Sequence, residues 1–203
     1  MKSVLLLGAT GTAGSAIAKK LLSDTDCRVT LFARHADQAD MSNSRAIVMN
    51  GDAAKMEDLL AALKGQEVVF CAISGQQLPL IAENLVKAMS EFNIKRIIFM
   101  GAVGIYNEIP DELDGDDNLD NEPAQIPNRQ AVDVIEASNL NYTILRPGYL
   151  RDGDENDFVL TLKGQAAKGY ITTIPSVVKL AIELIQVETL YSRESVSITR
   201  GMQ

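Results

Sequence analysis

The stretch Gly8-Ala9-Thr10-Gly11-Thr12-Ala13-Gly14 follows a short apolar run at residues 2–7 and precedes a helical pattern of apolar residues. This order predicts a strand, a glycine-rich turn and a helix. Gly8 lets the chain turn sharply off the strand, Gly11 lets a pyrophosphate approach the backbone, and Gly14 lets the helix pack close to the strand. The free N–H groups and the dipole of the first helical turn favour phosphate charge. The stretch therefore predicts a dinucleotide-binding turn, against the alternative of a turn that is merely rich in glycine.

Short apolar runs alternate with helical patterns along the rest of the chain. Strands are predicted at residues 2–7, 28–33, 46–49, 67–72, 96–100, 142–145 and 195–199. Helices are predicted after Gly14, up to Gly65, at 79–92, at 128–138 and from Pro175. The alternation predicts an α/β fold, a Rossmann-type doubly wound parallel sheet with helices on both faces and a small C-terminal extension on the substrate side.

Length and composition limit the class of protein. A chain of 203 residues suits a single NAD(P)-binding Rossmann domain over 1–203. The net charge of −8 argues against nucleic acid and anionic membrane surfaces as partners. Cys27 and Cys71 form no CxxC motif, and with one histidine in the chain we expect no metal site. No stretch approaches the length of a membrane span, so we expect a soluble cytoplasmic protein, with a monomer as the default.

The end of the second predicted strand indicates which dinucleotide binds. This strand ends at Ala33-Arg34-His35, and in a dinucleotide-binding fold its tip meets the adenosine ribose. An acidic residue there would accept hydrogen bonds from the ribose hydroxyls and repel a 2′-phosphate, whereas a guanidinium matches the phosphate. Arg34 therefore predicts NADP(H) rather than NAD(H). His35 is interpreted as a surface residue or a second phosphate contact.

Two polar segments are harder to interpret. Residues 111–122 carry a dense charge of one sign, which predicts a mobile solvated loop where a substrate loop would lie. A calcium site is the alternative, but the spacing does not follow the EF-hand pattern. After a turn at 146–149 and a polar loop at 151–157, residues 158–162 predict a short strand or a hairpin with 170–173.

Three motifs together resemble the atypical short-chain dehydrogenase/reductases. They are Gly8 to Gly14, Asp52, and the run Leu140-Asn141-Tyr142-Thr143-Ile144-Leu145-Arg146-Pro147-Gly148. Within that group the chain resembles the NmrA-like NAD(P)H-binding proteins and, in length and order of elements, the small biliverdin-IX-beta (flavin) reductases. The resemblance covers nearly the whole chain and implies NADP(H) bound across the carboxyl edge of the sheet.

The resemblance also implies which residues bind each part of NADP(H). The pyrophosphate residues would be Gly8, Thr10, Gly11, Thr12 and Ala13. Arg34 would bind the 2′-phosphate, and Asp52 with Ala53 the adenine. Ala72, Ile73 and Ser74 would line the ribose beside the nicotinamide. Pro147, Gly148 and Tyr149 would approach the nicotinamide amide.

The chain departs from the resembled family at its catalytic residues. Classical members of that family use a serine after the fifth strand and a Tyr-x-x-x-Lys pair on the next helix, in which the tyrosine donates a proton to the carbonyl that is reduced. Here the serine position falls at Gly101 or Ala102, the lysine position near Asn128 and the tyrosine position near Ala124. Tyr106 and Tyr149 have no lysine four residues later, and we interpret both as packing residues. No catalytic residue is therefore assigned.

Two functions from different classes fit this pattern. The first is an NADPH-dependent reductase of a delocalised small-molecule acceptor such as a flavin or quinone, which needs no built-in proton donor. The second is a non-catalytic NADP(H)-binding sensor of NmrA type. A pocket beside the nicotinamide would favour the enzyme, and a flat closed surface would favour the sensor. A sugar-nucleotide epimerase or dehydratase fits less well, because those enzymes need the Tyr–Lys pair and a larger C-terminal region.

Overall fold

A central eight-stranded sheet organises the molecule in the computed structural model, which describes residues 1–39, 41–113 and 115–201. The ten strands are β1 (Ser3–Leu7), β2 (Arg28–Ala33), β3 (Ala46–Asn50), β4 (Val68–Cys71), β5 (Arg96–Met100), β6 (Asn141–Pro147), β7 (Tyr149–Arg151), β8 (Val159–Leu162), β9 (Ile171–Thr173) and β10 (Glu194–Thr199). Their order in the large sheet is β3-β2-β1-β4-β5-β6-β10-β8, parallel throughout except for β8. The carboxyl ends of β1 to β6 therefore meet along one edge, and the chain reverses direction across the sheet between β1 and β4.

Five α-helices cover the two faces of this sheet. They are α1 (Thr12–Asp24), α2 (Met56–Leu63), α3 (Leu78–Glu91), α4 (Ile126–Glu136) and α5 (Ile174–Gln186). Helices α1 and α5 pack on one face, and α2, α3 and α4 pack on the other. The predicted doubly wound sheet with helices on both faces is confirmed. No helix of the described chain is both long and apolar enough to cross a membrane.

Alternation along β1 explains why the sheet has two cores. Val4 and Leu6 point into the core with α1 and α5, while Leu5 and Leu7 point into the core with α2, α3 and α4. All four side chains are inaccessible to solvent. A parallel strand covered on both sides is continuously apolar, which is why residues 3–7 read as a run rather than as an alternation.

Both cysteines are part of this interior. Cys27 and Cys71 are buried and free. Burial raises the pKa of the Cys71 thiol to about 12, so this side chain stays a neutral thiol. Both cysteines therefore act as small buried apolar residues.

The C-terminal part differs from its prediction in how the short strands pair. Of the two alternatives for residues 158–162, the short strand is confirmed as β8. The hairpin with 170–173 is wrong, because β8 pairs with β10 in antiparallel fashion and β9 pairs with β7 in parallel. The predicted turn at Tyr149 and start of a polar loop at Arg151 are also wrong, since these residues form β7. Short strands carry little information about partners that are distant in sequence.

The acidic segment 111–122 is folded against the protein rather than free in solvent. It contains two short 3₁₀ helices, Asp111–Leu113 and Gly115–Asp117, while Asp114 lies outside the described residues. Asn118 is buried and pairs with the backbone of Ile109 in both directions, at 3.0 and 2.8 Å. For the described part the prediction of a fully solvated loop is wrong, because the buried Asn118 anchors the segment to Ile109. In the described chain no three His, Cys, Asp or Glu side chains are grouped as metal ligands.

Candidate dinucleotide-binding cleft

The turn between β1 and α1 is built by close backbone approach. Gly8 has φ +81°, a left-handed conformation that favours glycine, and its N–H donates to the carbonyl of Phe32 on β2 at 2.9 Å. A Cβ atom on Gly14 would lie 2.1 Å from the Gly8 carbonyl oxygen. The glycine turn and the first helical turn of α1 are therefore in close backbone contact, and Gly14 allows the helix to start directly above the strand.

The N–H groups at the start of α1 carry positive potential, and no side chain caps this end of the helix. Gly11 is the N-cap, with φ −74° and ψ 166°, and no side chain caps the helix. The first turn contains no acidic residue. The N–H groups of an unsatisfied first turn carry about half a positive charge in total. This end of α1 is therefore suited to an anionic group.

One cleft runs along the carboxyl edge of the sheet past this helix. It consists of a cavity of about 430 Å³ beside β2 and one of about 360 Å³ beside β6. The two cavities share Gly11, Ala72, Ile73 and Ser74, so they are continuous at the glycine turn. We call the first cavity the adenosine end and the second the nicotinamide end. An elongated cleft that passes a helix N-terminus at its middle matches the shape of a dinucleotide.

The structure brings the residues implied by the resemblance together, with one exception. Those at the adenosine end are Gly8, Thr10, Gly11, Arg34, Asp52, Ala53, Ala72, Ile73 and Ser74. Those added at the nicotinamide end are Thr12, Ala13, Pro147 and Gly148. The exception is Tyr149, which lines neither cavity.

Tyr149 is turned away by the alternation of β7. Its side chain is 52% exposed, and the Arg151 guanidinium lies 4.4 Å from its ring centre. Its neighbour Leu150 lines the nicotinamide end instead. No sequence pattern indicated β7, so the side of the chain that faces the cleft could not be predicted for Tyr149 and Leu150.

The adenosine end presents an exposed cation. Arg34 follows directly on β2 and is exposed at the rim of the cleft beside His35 and Gln38. No acidic side chain among the described residues forms an ion pair with it. The guanidinium is therefore available to an anionic ligand.

Asp52 is held in place from two sides at the floor of this end. Its backbone N–H donates to the Asp58 carboxylate at 2.8 Å, and its own Oδ1 accepts from the N–H of Ala54 at 3.0 Å. These bonds fix the turn between β3 and α2. Asp52 and Ala53 consequently form a rigid wall where the resemblance places an adenine.

Several lining residues were not predicted from the sequence. They are Phe32, Ala33, Gln38, Gly51, Gln76, Gln77 and Ile81 at the adenosine end, and Met100 and Leu150 at the nicotinamide end. Gln76 and Gln77 follow the Ser74-Gly75 turn at the end of β4. Their position just after a strand end is the sequence feature that could have identified them as lining residues. Gly101, Ala102 and Asn128 also line the nicotinamide end, which is where alignment with the resembled family places its serine and lysine.

Tyr106 belongs to a different site. It lines a separate cavity of about 320 Å³ that shares no lining residue with the cleft. Its hydroxyl donates to Glu136 Oε1 at 2.8 Å and lies 3.3 Å from Ser195 Oγ. Burial raises the pKa of Tyr106 above its ordinary value, which makes it a weaker acid than a free tyrosine.

Arg146, from the run that suggested the family, is structural. Its guanidinium is inaccessible to solvent, pairs with Glu108 and donates through Nε to Ser195 Oγ at 3.0 Å. It also lies 5.0 Å from the Tyr106 ring centre. The pair joins β6 to the loop after β5 and leaves the adjacent Pro147 and Gly148 facing the cleft.

The residues present fit a dinucleotide. The uncapped first turn of α1 and the glycine backbone would hold the pyrophosphate, and the exposed Arg34 would hold a phosphate at the adenosine rim. Such a cofactor brings hydride-transfer chemistry, and the protein contributes binding and orientation.

Comparison with known proteins agrees with this geometry. A family model described as NAD(P)H-binding matches residues 8–188. A curated relative, the uncharacterized sugar epimerase YhfK of Bacillus subtilis (strain 168), is 27% identical over 164 residues, which are 73% of this chain and 72% of YhfK.

Two solved structures resemble nearly the whole chain. A Rossmann-fold NAD(P)-binding family protein from Shigella flexneri is 31% identical, with a TM-score of 0.85 over 100% of this chain and 98% of the other. A short-chain dehydrogenase/reductase from Veillonella parvula DSM 2008, solved in complex with NADP, is 29% identical, with a TM-score of 0.88 over 98% and 94% of the two chains. The predicted resemblance to atypical short-chain dehydrogenase/reductases is confirmed.

Proposed function

Because this chain belongs to the NAD(P)H-binding family, we propose that it is an NADPH-dependent reductase whose acceptor is a delocalised molecule of the flavin or quinone type. It would act in the cytoplasm, as a single chain, on a small-molecule acceptor. The NAD(P)H cofactor class follows from the family. The preference for NADPH, the acceptor class and the single-chain state are the proposal.

Arg34 supports NADPH over NADH. Its exposed guanidinium lies at the adenosine rim, in the place where the 2′-phosphate distinguishes the two dinucleotides. The Veillonella parvula relative was solved in complex with NADP, which agrees with this choice. One charge-assisted hydrogen bond contributes about 1.5–3 kcal/mol, or roughly ten- to a hundredfold in affinity.

The residue types that line the nicotinamide end support the proposed acceptor class. The described lining consists of Gly11, Thr12, Ala13, Ala72, Ile73, Ser74, Met100, Gly101, Ala102, Asn128, Pro147, Gly148 and Leu150. It offers two aliphatic hydroxyls but no tyrosine, lysine, histidine or carboxylic acid. An ordinary ketone needs an acid or an oxyanion donor when it accepts hydride. A flavin or quinone spreads the added charge over its rings and takes its proton from water, so this lining favours it.

The residues of this chain have three tasks in such a reaction. The α1 N-terminus and the glycine turn would fix the pyrophosphate, and Pro147 with Gly148 would limit the position of the nicotinamide. Met100 and Leu150 supply apolar surface that excludes water from the reacting face. Bound NADPH supplies the hydride itself.

The cavity at the nicotinamide end is compatible with both candidate functions. Its volume of about 360 Å³ is in the range of small-molecule pockets, and bound NADPH would occupy part of it in an enzyme and in a sensor alike. Turnover of bound NADPH therefore distinguishes the enzyme from the sensor.

The test is NADPH oxidation by a panel of acceptors. Purified protein is mixed with NADPH and either menadione, FMN or cyclohexanone, and the loss of nicotinamide absorbance is followed. We expect oxidation by menadione or FMN and at least about a hundredfold slower reaction with cyclohexanone, since a general acid contributes about 10²- to 10⁴-fold. The Gly11→Ala variant, in which a methyl group enters the cleft, controls for direct reaction in solution.

Two results would contradict the proposal in different ways. NADPH binding without oxidation by any acceptor would indicate the sensor. Cyclohexanone reduced as fast as menadione would show that the site contains a proton donor, and the acceptor class would then be wrong.

Tyr106→Phe is expected to lower stability and leave turnover unchanged. The substitution removes hydrogen bonds to Glu136 and Ser195, which should cost about 1–2 kcal/mol. For a domain of this size the melting temperature should fall by roughly 2–8 °C. Thermal unfolding and the menadione rate of the variant are compared with those of the wild type. A tenfold loss of rate without loss of stability would instead place Tyr106 at the reacting atoms.

A further inference from the structure

Asn128 is the polar side chain on α4 that faces the nicotinamide end. It is the third residue of α4, is half-buried and lines the cavity together with Gly101 and Pro147. The buried Gln125, which directly precedes the helix, lies behind it. The hydrogen bonds of Gln125 determine how the Asn128 amide is oriented.

The orientation follows from which groups can donate. Gln125 Nε2 donates to the backbone carbonyls of Val103 and Asp117, both at 3.2 Å. A carbonyl can only accept, so the nitrogen of the Gln125 amide must face these two groups, and its Oε1 must face Asn128. Since Oε1 can also only accept, Asn128 presents its Nδ2 to it, at 3.1 Å.

This chain of bonds uses Asn128 Nδ2 and leaves Oδ1 as the acceptor of the amide. The described residues provide no hydrogen-bond donor to it, and the side chain lines the cavity. The two carbonyls that set the orientation belong to the loop after β5 and to the acidic segment. Both therefore help to fix a polar atom at the nicotinamide end.

We propose that Asn128 Oδ1, oriented by Gln125, accepts a hydrogen bond from the nicotinamide riboside half of the bound dinucleotide and so positions it. The inference rests on the proposed function. Ribose hydroxyls and the carboxamide N–H₂ of that half are donors that match a fixed carbonyl acceptor. A lysine at this place would have three donors and no acceptor, so Asn128 Oδ1 provides an acceptor that a lysine lacks.

The test compares two ligands that differ by the nicotinamide riboside half. NADPH contains the nicotinamide riboside, and 2′,5′-ADP lacks it while keeping the adenosine and its 2′-phosphate. Asn128→Ala is expected to weaken NADPH binding by roughly three- to tenfold, the range of one neutral hydrogen bond, and to leave 2′,5′-ADP binding unchanged. Gln130→Ala, an exposed position on the same helix, is the matched control and should change neither constant.

Gln125→Met provides a second variant that keeps Asn128 itself. It removes the group that orients the Asn128 amide, so NADPH should bind more weakly by a smaller factor than in Asn128→Ala, again with 2′,5′-ADP unchanged. Because each variant is judged by the ratio of the two dissociation constants, a general loss of folded protein does not imitate the effect.

Other outcomes overturn the inference. Unchanged NADPH binding by Asn128→Ala, in a wild type that binds and oxidises NADPH, refutes the role of Asn128 and leaves the proposed function intact. An equal loss for both ligands would mean that Asn128 acts on the whole cleft rather than on the riboside half. A wild type that binds neither ligand refutes the proposed function, and this inference with it.

Discussion

Gly14→Ala is expected to destabilise the protein by at least about 3 kcal/mol, because the new Cβ would lie 2.1 Å from the Gly8 carbonyl oxygen. An alanine within a helix is otherwise favoured over glycine by roughly 0.5–1 kcal/mol. The contact with the Gly8 oxygen therefore decides that this substitution destabilises the protein. The obstructing atom is backbone and cannot rotate away. The melting temperature should fall by roughly 6–12 °C or more, as measured by calorimetry or circular dichroism.

Gly11→Ala is the matched control for this prediction. Its Cβ would meet the same Gly8 oxygen at 3.4 Å, an ordinary contact, and the backbone φ of −74° suits alanine. This variant should therefore melt close to the wild type and still lose NADPH binding. If Gly14→Ala melted as the wild type does, the close packing of α1 on the β1 turn would be incorrect.

Arg34→Ala is expected to remove the preference for NADPH over NADH, a change of roughly ten- to a hundredfold in the ratio of dissociation constants. NADPH should bind more weakly, and NADH should be nearly unaffected, because only the former carries the 2′-phosphate that the guanidinium would contact. The two constants are measured by titration at fixed ionic strength, since added salt screens an exposed charge pair.

Arg28→Ala controls for a general change in charge. Arg28 is exposed at the opposite end of the same strand, away from the carboxyl edge of the sheet, so its loss should leave the ratio unchanged. A ratio that stays constant in Arg34→Ala would mean that another group, such as His35, selects the cofactor.

The agreement between sequence and structure is best where the signal is local. The turn from Gly8 to Gly14 and the end of β2 each follow from neighbouring residues, and Gly8, Gly11 and Arg34 line the cleft. The apolar runs of the central strands are equally readable, because a strand buried on both faces must be apolar along its length.

The differences arise where distant residues decide the outcome. β7 exists because Tyr149 to Arg151 pair with β9, some twenty residues later, and this pairing turns Tyr149 out and Leu150 in. The acidic segment is held by Asn118 on Ile109, and its charge pattern carries no trace of that contact. The orientation of Asn128 depends in the same way on carbonyls from two loops. Side-chain composition does not indicate which distant backbone atoms a polar side chain will bond to.

The most direct test of the central claim, that the cleft from Arg34 to Gly148 binds NADPH, is an equilibrium titration of the purified protein with NADPH, followed by cofactor fluorescence. We expect saturation at one NADPH per chain, and displacement by 2′,5′-ADP at much lower concentration than by 5′-AMP, since Arg34 would contact the extra phosphate. Failure of both NADPH and NADH to bind would contradict the account, and the glycine turn would then be a feature of the fold alone.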